Sequence, residues 1–195
     1  MNGAVPPDGA VPPDGAVPPD PWIRRSRRTV YENPWIRVHH DEVTRPDGSP
    51  GIYGVVHFRS RAIGAVVVDA HGRILLVGQH RYPLDRYSWE IPEGGAPWDE
   101  DPEDGARREL AEETGFAART WRELVRFTLS NSVTDEEGVL FVATDLEAGP
   151  ASPDPSEELA VRWVGLEEAL AMVTSGEIHD VMTQVALLLY DRQRT

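Results

Sequence analysis

The amino-acid sequence predicts an α/β fold arranged in layers, with a small antiparallel β-sheet ahead of the main domain. Short apolar segments of β-forming residues alternate along the chain with helical segments, which is typical of layered α/β domains. The 195 residues suffice for one domain with a full core and an additional segment. Residues 178–192 predict a core-facing helix because apolar residues recur at helical spacing, namely Val181, Val185, Leu188 and Leu189.

The N-terminal part of the chain contains a repeat and then a strand-rich region. The hexapeptide Gly-Ala-Val-Pro-Pro-Asp occurs three times in tandem within residues 1–21. Because proline lacks a backbone donor and glycine loosens the chain, we expect these residues to form a disordered tail. Residues 35–44 and 52–58 have β-rich patterns separated by a turn sequence, so residues 22–59 are predicted to form an antiparallel sheet.

Residues 60–195 are predicted to form the main domain. It opens with two apolar strands, residues 62–69 and 74–79, and a third short strand at residues 89–91 stops at Pro92. A loop and a long helix follow. Further strands are predicted at residues 121–129, 139–144 and 161–164, and further helices at residues 166–174 and 178–192.

The long helix is predicted between Asp101 and Gly115. Asp101 can cap its start, and the proline that follows suits the first helical position. Gly115 is a typical C-terminal stop. Ala106 and Leu110 share one side, which we expect to face the core. Acid-first pairs four residues apart are expected to stabilise the helix, namely Glu103 with Arg107 and Asp104 with Arg108.

Three glutamates, Glu109, Glu112 and Glu113, form an acidic face on this helix. At about 100° per residue they fall within one arc of about 100°. Adjacent carboxylates repel one another unless solvent, arginines or a divalent cation offsets their charge, and oxygen ligands without sulfur suit Mg²⁺ or Mn²⁺ rather than zinc. A solvated helix face is the alternative. The preceding loop with Gly94 and Gly95 lets a ligand approach the backbone closely.

The glutamates belong to a longer pattern. It consists, in order, of Gly94, five residues, Glu100, seven residues, Arg108-Glu109-Leu110, one residue, Glu112-Glu113, one residue and Gly115-Phe116. This pattern resembles the Nudix box at every position and without a gap. The resemblance implies an α/β/α sandwich and a hydrolase that cleaves a nucleoside diphosphate linked to another group.

The resemblance also implies which residues form the metal site. The box glutamates, Glu109, Glu112 and Glu113, would hold the cation, Mg²⁺ or Mn²⁺. The backbone carbonyl of Glu93, just before the box glycine, would join them. Glu112 and Arg108 are also predicted to be catalytic, and we expect Arg108 to brace the acidic array.

Features outside the box resemble the ADP-ribose and nucleotide-sugar pyrophosphatases of the family. In that branch the N-terminal sheet is exchanged between subunits, so we expect a homodimer through residues 22–59. Arg81 would grip phosphate oxygens with two donors, and a surface arginine at a strand end is the alternative. The segments that carry the resemblance are Gln79-His80-Arg81-Tyr82 and Glu90-Ile91-Pro92, and the predicted substrate-binding residues are Arg81, Glu90, Gly94 and Gly95.

Members of that branch carry a general base on a loop well after the box. The matching loop in this sequence is residues 130–138. Glu136 is the predicted base, with Asp135 and Glu137 as competitors. An acidic turn without chemistry is the alternative interpretation.

The predicted substrate is a nucleotide sugar, and two departures weaken ADP-ribose as the principal one. Asn131 stands where ADP-ribose-cleaving relatives have a proline, and Glu93 replaces a small residue before the box glycine. The Ser-Asn-Ser loop resembles that of broader nucleoside-diphosphate-sugar hydrolases, which makes GDP-mannose a candidate. A base could stack on an exposed Trp22 or Trp35, and core packing of Trp35 is the alternative.

Composition argues against several other classes. Acidic residues outnumber basic ones 33 to 19, and the formal charge of −14 disfavours nucleic-acid binding. No apolar run approaches the roughly 20 residues that span a membrane, and we expect no signal peptide. The lack of cysteine fits a cytoplasmic protein. Two other functions stay open: a non-catalytic sensor of nucleotide sugars, and a Nudix enzyme for nucleoside triphosphates or dinucleoside polyphosphates.

Overall fold

The N-terminal sheet has three antiparallel strands in the computed structural model, which describes residues 21–149 and 159–194. These strands are β1 (Ile23–Glu32), β2 (Ile36–Thr44) and β3 (Pro50–Phe58), and they pair in the order β1-β2-β3. The predicted antiparallel sheet ahead of the main domain is therefore confirmed. The predicted disordered tail, residues 1–21, lies outside the described residues except for its last position.

Two further sheets build the main domain. Among the described residues their strands are β4 (Ser60–Val67), β5 (Arg73–Arg81), β6 (Arg86–Glu90), β7 (Glu93–Pro97), β8 (Phe116–Thr128), β9 (Glu137–Ala148) and β10 (Ala160–Gly165). One sheet has the order β7-β4-β9-β8, with β4 and β9 parallel and the other neighbours antiparallel. The second sheet is antiparallel and has the order β10-β5-β6.

The helices of the described ranges cover both faces of the four-stranded sheet. They are α1 (Pro102–Thr114), α2 (Leu166–Ser175) and α3 (Val181–Arg194). Successive residues of β4 and β9 point to opposite faces, and both faces are apolar. Ile63 and Val139 pack in one cluster with Leu110 of α1, whereas Val66 and Leu140 pack in another with residues of α2 and α3. The predicted α/β/α sandwich is therefore confirmed.

Helix α1 begins and ends where its local signals predict. The Asp101 carboxylate accepts a hydrogen bond from the Glu103 N–H at 2.9 Å, and a proline occupies the first helical position. Gly115 closes the helix in the left-handed conformation, with φ of 71°. Ala106 and Leu110 are buried as expected, so the opposite side of α1 is left for the glutamates.

Gly94 and Gly95 lie in β7, and the predicted loop at this position is wrong. They pair with Ile63 and Ala62 of β4, so the chain continues as an edge strand of the four-stranded sheet. Two consecutive glycines indicate a loop on local grounds, but backbone pairing with β4 overrides that preference. This strand brings the glycine backbone beside α1.

The core-facing side of α3 agrees with the predicted one only in part: Val185 and Leu189 pack against the core as expected. Val181 and Leu188 are 51% and 54% exposed, so their expected core role is wrong. Apolar residues are so frequent in this helix that their spacing does not single out one face. The Thr183 hydroxyl accepts a hydrogen bond from the Ile91 N–H at 3.0 Å, which ties α3 to the chain next to β7. The residues that α3 buries are Met182, Thr183, Ala186 and Leu187.

The length and polarity of these helices also bear on membrane insertion. Within residues 21–149 and 159–194, none of the helices is long and apolar enough to cross a bilayer. The longest, α3, has 14 residues, whereas a membrane-spanning helix needs about 20.

Candidate active site

The site is built where β7 runs beside the acidic face of α1. The Gly95 N–H hydrogen-bonds to the Glu109 carboxylate, and the Glu93 N–H donates to Oε2 of Glu113 at 3.1 Å. A Cβ atom at Gly94 would overlap the Glu109 carboxylate. A side chain at this position would therefore displace the Glu109 carboxylate, and two of the three glutamates are bonded to backbone amides of β7.

Arg108 braces the acidic face. Its Nη1 lies 2.8 Å from Oε1 of Glu109 and 3.1 Å from Oε2 of Glu112. Its Nη2 donates to the Gly95 carbonyl at 2.9 Å and to Oε2 of Glu100 at 3.1 Å. The predicted pairing of Arg108 with Asp104 is wrong, because this group of carboxylates and a carbonyl attracts the guanidinium instead. Hydrogen bonding to Glu100 is the main cause that raises the pKa of Arg108.

The Glu109 carboxyl group is in an unfavourable place for a negative charge. Burial raises its pKa, and the charge of Glu112 raises it further, whereas Arg108 and the Gly95 N–H lower it. As these side chains stand, no group of three or more histidine or acidic residues in the described ranges could hold a metal ion. Arg108 engages Glu109 and Glu112, and the Glu93 amide engages Glu113.

A second arginine, Arg81, holds two further carboxylates. Its guanidinium forms a bidentate contact with Glu90, and its Nη2 lies 3.0 Å from Oε1 of Glu93. Both carboxyl side chains are almost fully buried. Burial raises the pKa of Glu93 well above its ordinary value, and the charges of Asp180 and Glu90 add to this effect while Arg81 opposes it.

A cavity of about 400 Å³, here named the active-site cavity, collects most of the predicted substrate-binding residues. Glu90 does not line it and reaches it only through its contact with Arg81. Trp35 lines the cavity and is 73% exposed, so its alternative role in core packing is excluded. Trp22 lies elsewhere, edge-on to Tyr53 of β3 with ring centroids 5.5 Å apart. The predicted residues that line the active-site cavity are Arg81, Glu93, Gly94, Gly95 and Glu136.

Glu136 is the residue of the acidic loop that faces this cavity. Burial raises its pKa, and the neighbouring charge of Asp135 adds to the rise. Asp135 itself is paired, with Oδ2 at 2.7 Å from Nδ1 of His57. Glu137 begins β9 and pairs with Thr128. The geometry therefore favours Glu136 over its two competitors as a base that can reach a bound ligand.

The loop that carries Glu136 is attached to β3, a contact that the sequence did not indicate. The Val56 N–H donates to the Val133 carbonyl at 2.9 Å, and the Tyr53 hydroxyl donates to the Ser132 carbonyl at 2.7 Å. His57 adds its bond to Asp135 from the same strand. The partners lie 77 to 79 positions apart in sequence, and no local pattern could have revealed them.

The comparison with known proteins agrees with this architecture. Residues 58–184 match the NUDIX domain, and residues 22–56 match the nucleoside diphosphate sugar hydrolase N-terminal domain. A CMP-5'-(N-acetyl-N-hydroxy-3-aminopropyl)phosphonate hydrolase from Streptomyces rubellomurinus is 32% identical over 172 residues, which cover 86% of this chain and 81% of that protein.

Two further proteins resemble this chain over most of its length. The ADP-ribose pyrophosphatase of Bacillus subtilis is 32% identical over 164 residues, covering 83% of this chain and 88% of the relative. The crystal structure of an ADP compounds hydrolase superposes with a TM-score of 0.77 at 19% identity. That alignment covers 88% of this chain and 93% of the other, and it supports the fold alone.

Replacing Gly94 with alanine tests the close approach of β7 and α1. We expect Gly94→Ala to reduce turnover by roughly a hundred-fold, because displacing a site group by about 1 Å can cost that factor. Gly54→Ala in β3 is the matched control, since a Cβ there meets nothing within 4 Å. Steady-state kinetics and thermal unfolding of both variants measure the effect. Equal activity of the two variants would show that the contact with Glu109 is dispensable.

Proposed function

Since this chain belongs to the Nudix hydrolases, we propose that it cleaves the diphosphate of a nucleoside diphosphate sugar into a nucleoside monophosphate and a sugar phosphate. One observation carries the proposal. The active-site cavity brings an arginine, a candidate base and the glycine backbone together beside the glutamates of α1. The N-terminal match to nucleoside diphosphate sugar hydrolases supports the substrate class.

The identity of the base and the sugar is a narrower proposal. One relative is named for an ADP-linked substrate and another for a CMP-linked one, so similar chains serve different nucleotides. We propose nucleotide sugars of the ADP-ribose or GDP-mannose type. Trp35 supports this choice because its ring is exposed at the active-site cavity, where a base can stack on it.

We propose Mg²⁺ as the cofactor, with Mn²⁺ as the alternative. The carboxylates of Glu109, Glu112 and Glu113 and the carbonyl of Glu93 are the hard oxygen donors that these ions prefer. A bound cation would compete with Arg108 for Glu109 and Glu112, and it would relieve the crowding of charge around Glu109. When bound by these residues, such a cation would offset charge on the diphosphate and would lower the pKa of a water molecule.

The remaining roles follow from what each side chain can reach. Arg81 would bind phosphate oxygens, because its guanidinium lines the active-site cavity and Glu90 holds it in place. Glu136 would accept a proton from the attacking water, and its raised pKa makes it a stronger base than an ordinary glutamate. Arg108 would keep Glu109 and Glu112 in position while the site is empty of cation.

We also propose a homodimer through the N-terminal sheet. Every residue of β1 is exposed, which is unusual for a strand that carries apolar side chains. Exposed apolar residues of this kind mark interaction surfaces. The apolar residues of the sheet that are at least 47% exposed are Ile23, Val30, Tyr31 and Ile52. A cytoplasmic location also stays a prediction, supported by the lack of cysteine.

A panel of nucleotide sugars incubated with Mg²⁺ or Mn²⁺ tests the proposed reaction. We expect a nucleoside monophosphate and a sugar phosphate, and reaction in ¹⁸O-labelled water followed by mass analysis will show which phosphorus is attacked. Glu113→Gln should reduce turnover by roughly a hundred-fold or more without unfolding the chain, whereas Glu123→Gln on the exposed side of β8 should not. Inorganic pyrophosphate released from a triphosphate, with no cleavage of nucleotide sugars, would contradict the proposal.

The pH dependence of kcat/KM tests Glu136 as the base. A base acts when deprotonated, so activity should fall as the pH drops through the pKa of Glu136, at a higher pH than for an ordinary glutamate. Asp135→Asn removes the negative charge that helps to raise this pKa. The pH at which kcat/KM falls on the acidic side of the profile should therefore move to a lower value. Glu147→Gln, at an exposed position of β9, is the control and should leave the acidic side of the pH profile unchanged. If the acidic side of the pH profile of Asp135→Asn is unchanged, Glu136 is not the base.

Truncation tests the dimer. We expect the full chain and a chain without residues 1–21 to be active dimers, because the shorter chain keeps all three strands of the N-terminal sheet. Removal of residues 1–58 should give an inactive monomer, since it takes away the sheet and the β3 contacts to the Glu136 loop. Light scattering, circular dichroism and kinetics check these outcomes. An active dimer without residues 1–58 would place the interface elsewhere.

A further inference from the structure

A second cavity lies next to the active-site cavity and is not explained by the roles assigned so far. We name it the side cavity; its volume is about 390 Å³. Arg81 and Glu93 line both cavities, so they form a shared wall. The cavity is also lined by the turn after β5, with Leu84, by the segment that precedes α3, with His179, and by Val181, the first residue of α3.

Two residues that line the side cavity carry buried polar atoms that have no hydrogen-bond partner among the described residues. The Glu93 side chain is only 9% exposed, and its Oε2 atom is buried without a hydrogen bond to the described residues. Both ring nitrogens of His179 are likewise buried and unpaired. Nearly all buried polar atoms in folded proteins have a partner, because an unpaired one costs about 1–3 kcal/mol. Three such atoms, on two residues that line one cavity, point to a ligand that supplies the missing hydrogen bonds.

The charge of the lining restricts the kind of ligand. Three carboxyl groups, those of Glu90, Glu93 and Asp180, face the single guanidinium of Arg81, which is already bonded to two of them. This surface disfavours a phosphate and favours a neutral group that donates hydrogen bonds. The imidazole of His179 can both donate and accept when neutral. A group with several hydroxyls satisfies both partners.

The rim of the side cavity is apolar and exposed. Leu84 is 58% exposed and Val181 is 51% exposed, and both line the cavity. Apolar side chains at the mouth of a polar pocket provide contact area, while the few polar groups inside fix orientation. A sugar ring matches this arrangement, because its C–H faces are apolar and its edge carries hydroxyls.

We propose that the side cavity binds the sugar of the nucleotide-sugar substrate, with Glu93 Oε2 and His179 as its hydrogen-bond partners. The proposal rests on the proposed function. It is consistent with the shared wall, because Arg81 would hold the diphosphate in the active-site cavity while the sugar extends past Glu93. The Glu93 carboxylate thereby gains a role in substrate selection that a small residue at this position could not perform.

Narrowing the rim of the side cavity tests the proposal. Val181→Trp adds bulk at a half-exposed position, and Leu188→Trp is the matched control, since Leu188 is 54% exposed on the same helix but does not line the cavity. With the best substrate of the panel, Val181→Trp should raise KM roughly ten-fold or more, a change of about 1.4 kcal/mol. The inhibition constant of the sugar phosphate should rise with it, and that of the nucleoside monophosphate should not. Leu188→Trp should resemble the unmodified protein.

A second variant, His179→Ala, removes a polar partner without adding bulk. It should weaken inhibition by the sugar phosphate and leave the nucleoside monophosphate unaffected, and circular dichroism will verify folding of all variants. The proposal is overturned if Val181→Trp and His179→Ala behave like Leu188→Trp, or if inhibition by the nucleoside monophosphate weakens instead. If the unmodified protein cleaves no nucleotide sugar, the proposed function fails. If it does and the variants change nothing, only the sugar site fails.

Discussion

The backbone of β7 lies directly against the carboxylates of α1, and the geometry of the whole site depends on this contact. The Gly95 amide binds Glu109 and the Glu93 amide binds Glu113, so the strand fixes two glutamates that would otherwise repel each other in solvent. The contact requires a residue without a side chain at Gly94. It also requires a strand at this place, because only pairing with β4 keeps the amides in register with the helix.

Around this contact, the charge of the site is organised by two arginines. Arg108 forms hydrogen bonds with glutamates of α1, and Arg81 forms hydrogen bonds with Glu90 and Glu93. A buried carboxylate is costly unless it is paired, so each arginine stabilises the acids that it holds. The two groups meet at β7, where Glu93 contributes its amide to one and its carboxylate to the other.

The parts of the fold that depend on residues close together in sequence could be predicted. The parts that depend on pairing between distant strands could be predicted less well. The ends of α1 and its acidic face follow from the capping residues, Gly115 and the spacing of the glutamates, which depend only on neighbours in sequence. The strand β7 was missed because its glycines resemble a loop until β4 is placed beside them. The buried face of α3 was predicted only in part, through Val185 and Leu189, because too many residues of this helix are apolar.

The candidate site shows the same division. The glutamates and Arg108 were identified from one helix, whereas the shape of the cavities depends on residues from distant strands. The side chain of Glu93 attracted notice in the sequence only as a departure, and its unpaired carboxylate oxygen became visible in three dimensions. The loop of Glu136 could be located by its acidic residues, but its attachment to Tyr53 and His57 could not, because nothing in either segment specifies the other.

This attachment gives the site two supports of different origin. The helix that carries the glutamates packs its other side, with Ala106 and Leu110, into the apolar core, while the Glu136 loop is bonded to an N-terminal sheet in whose first strand every residue is exposed. A disturbance of that sheet would therefore reach Glu136, the proposed base, before it reached the glutamates proposed to hold the cation. If Glu136 is the base, a displacement of the sheet would thus alter deprotonation of water without moving the glutamates of α1.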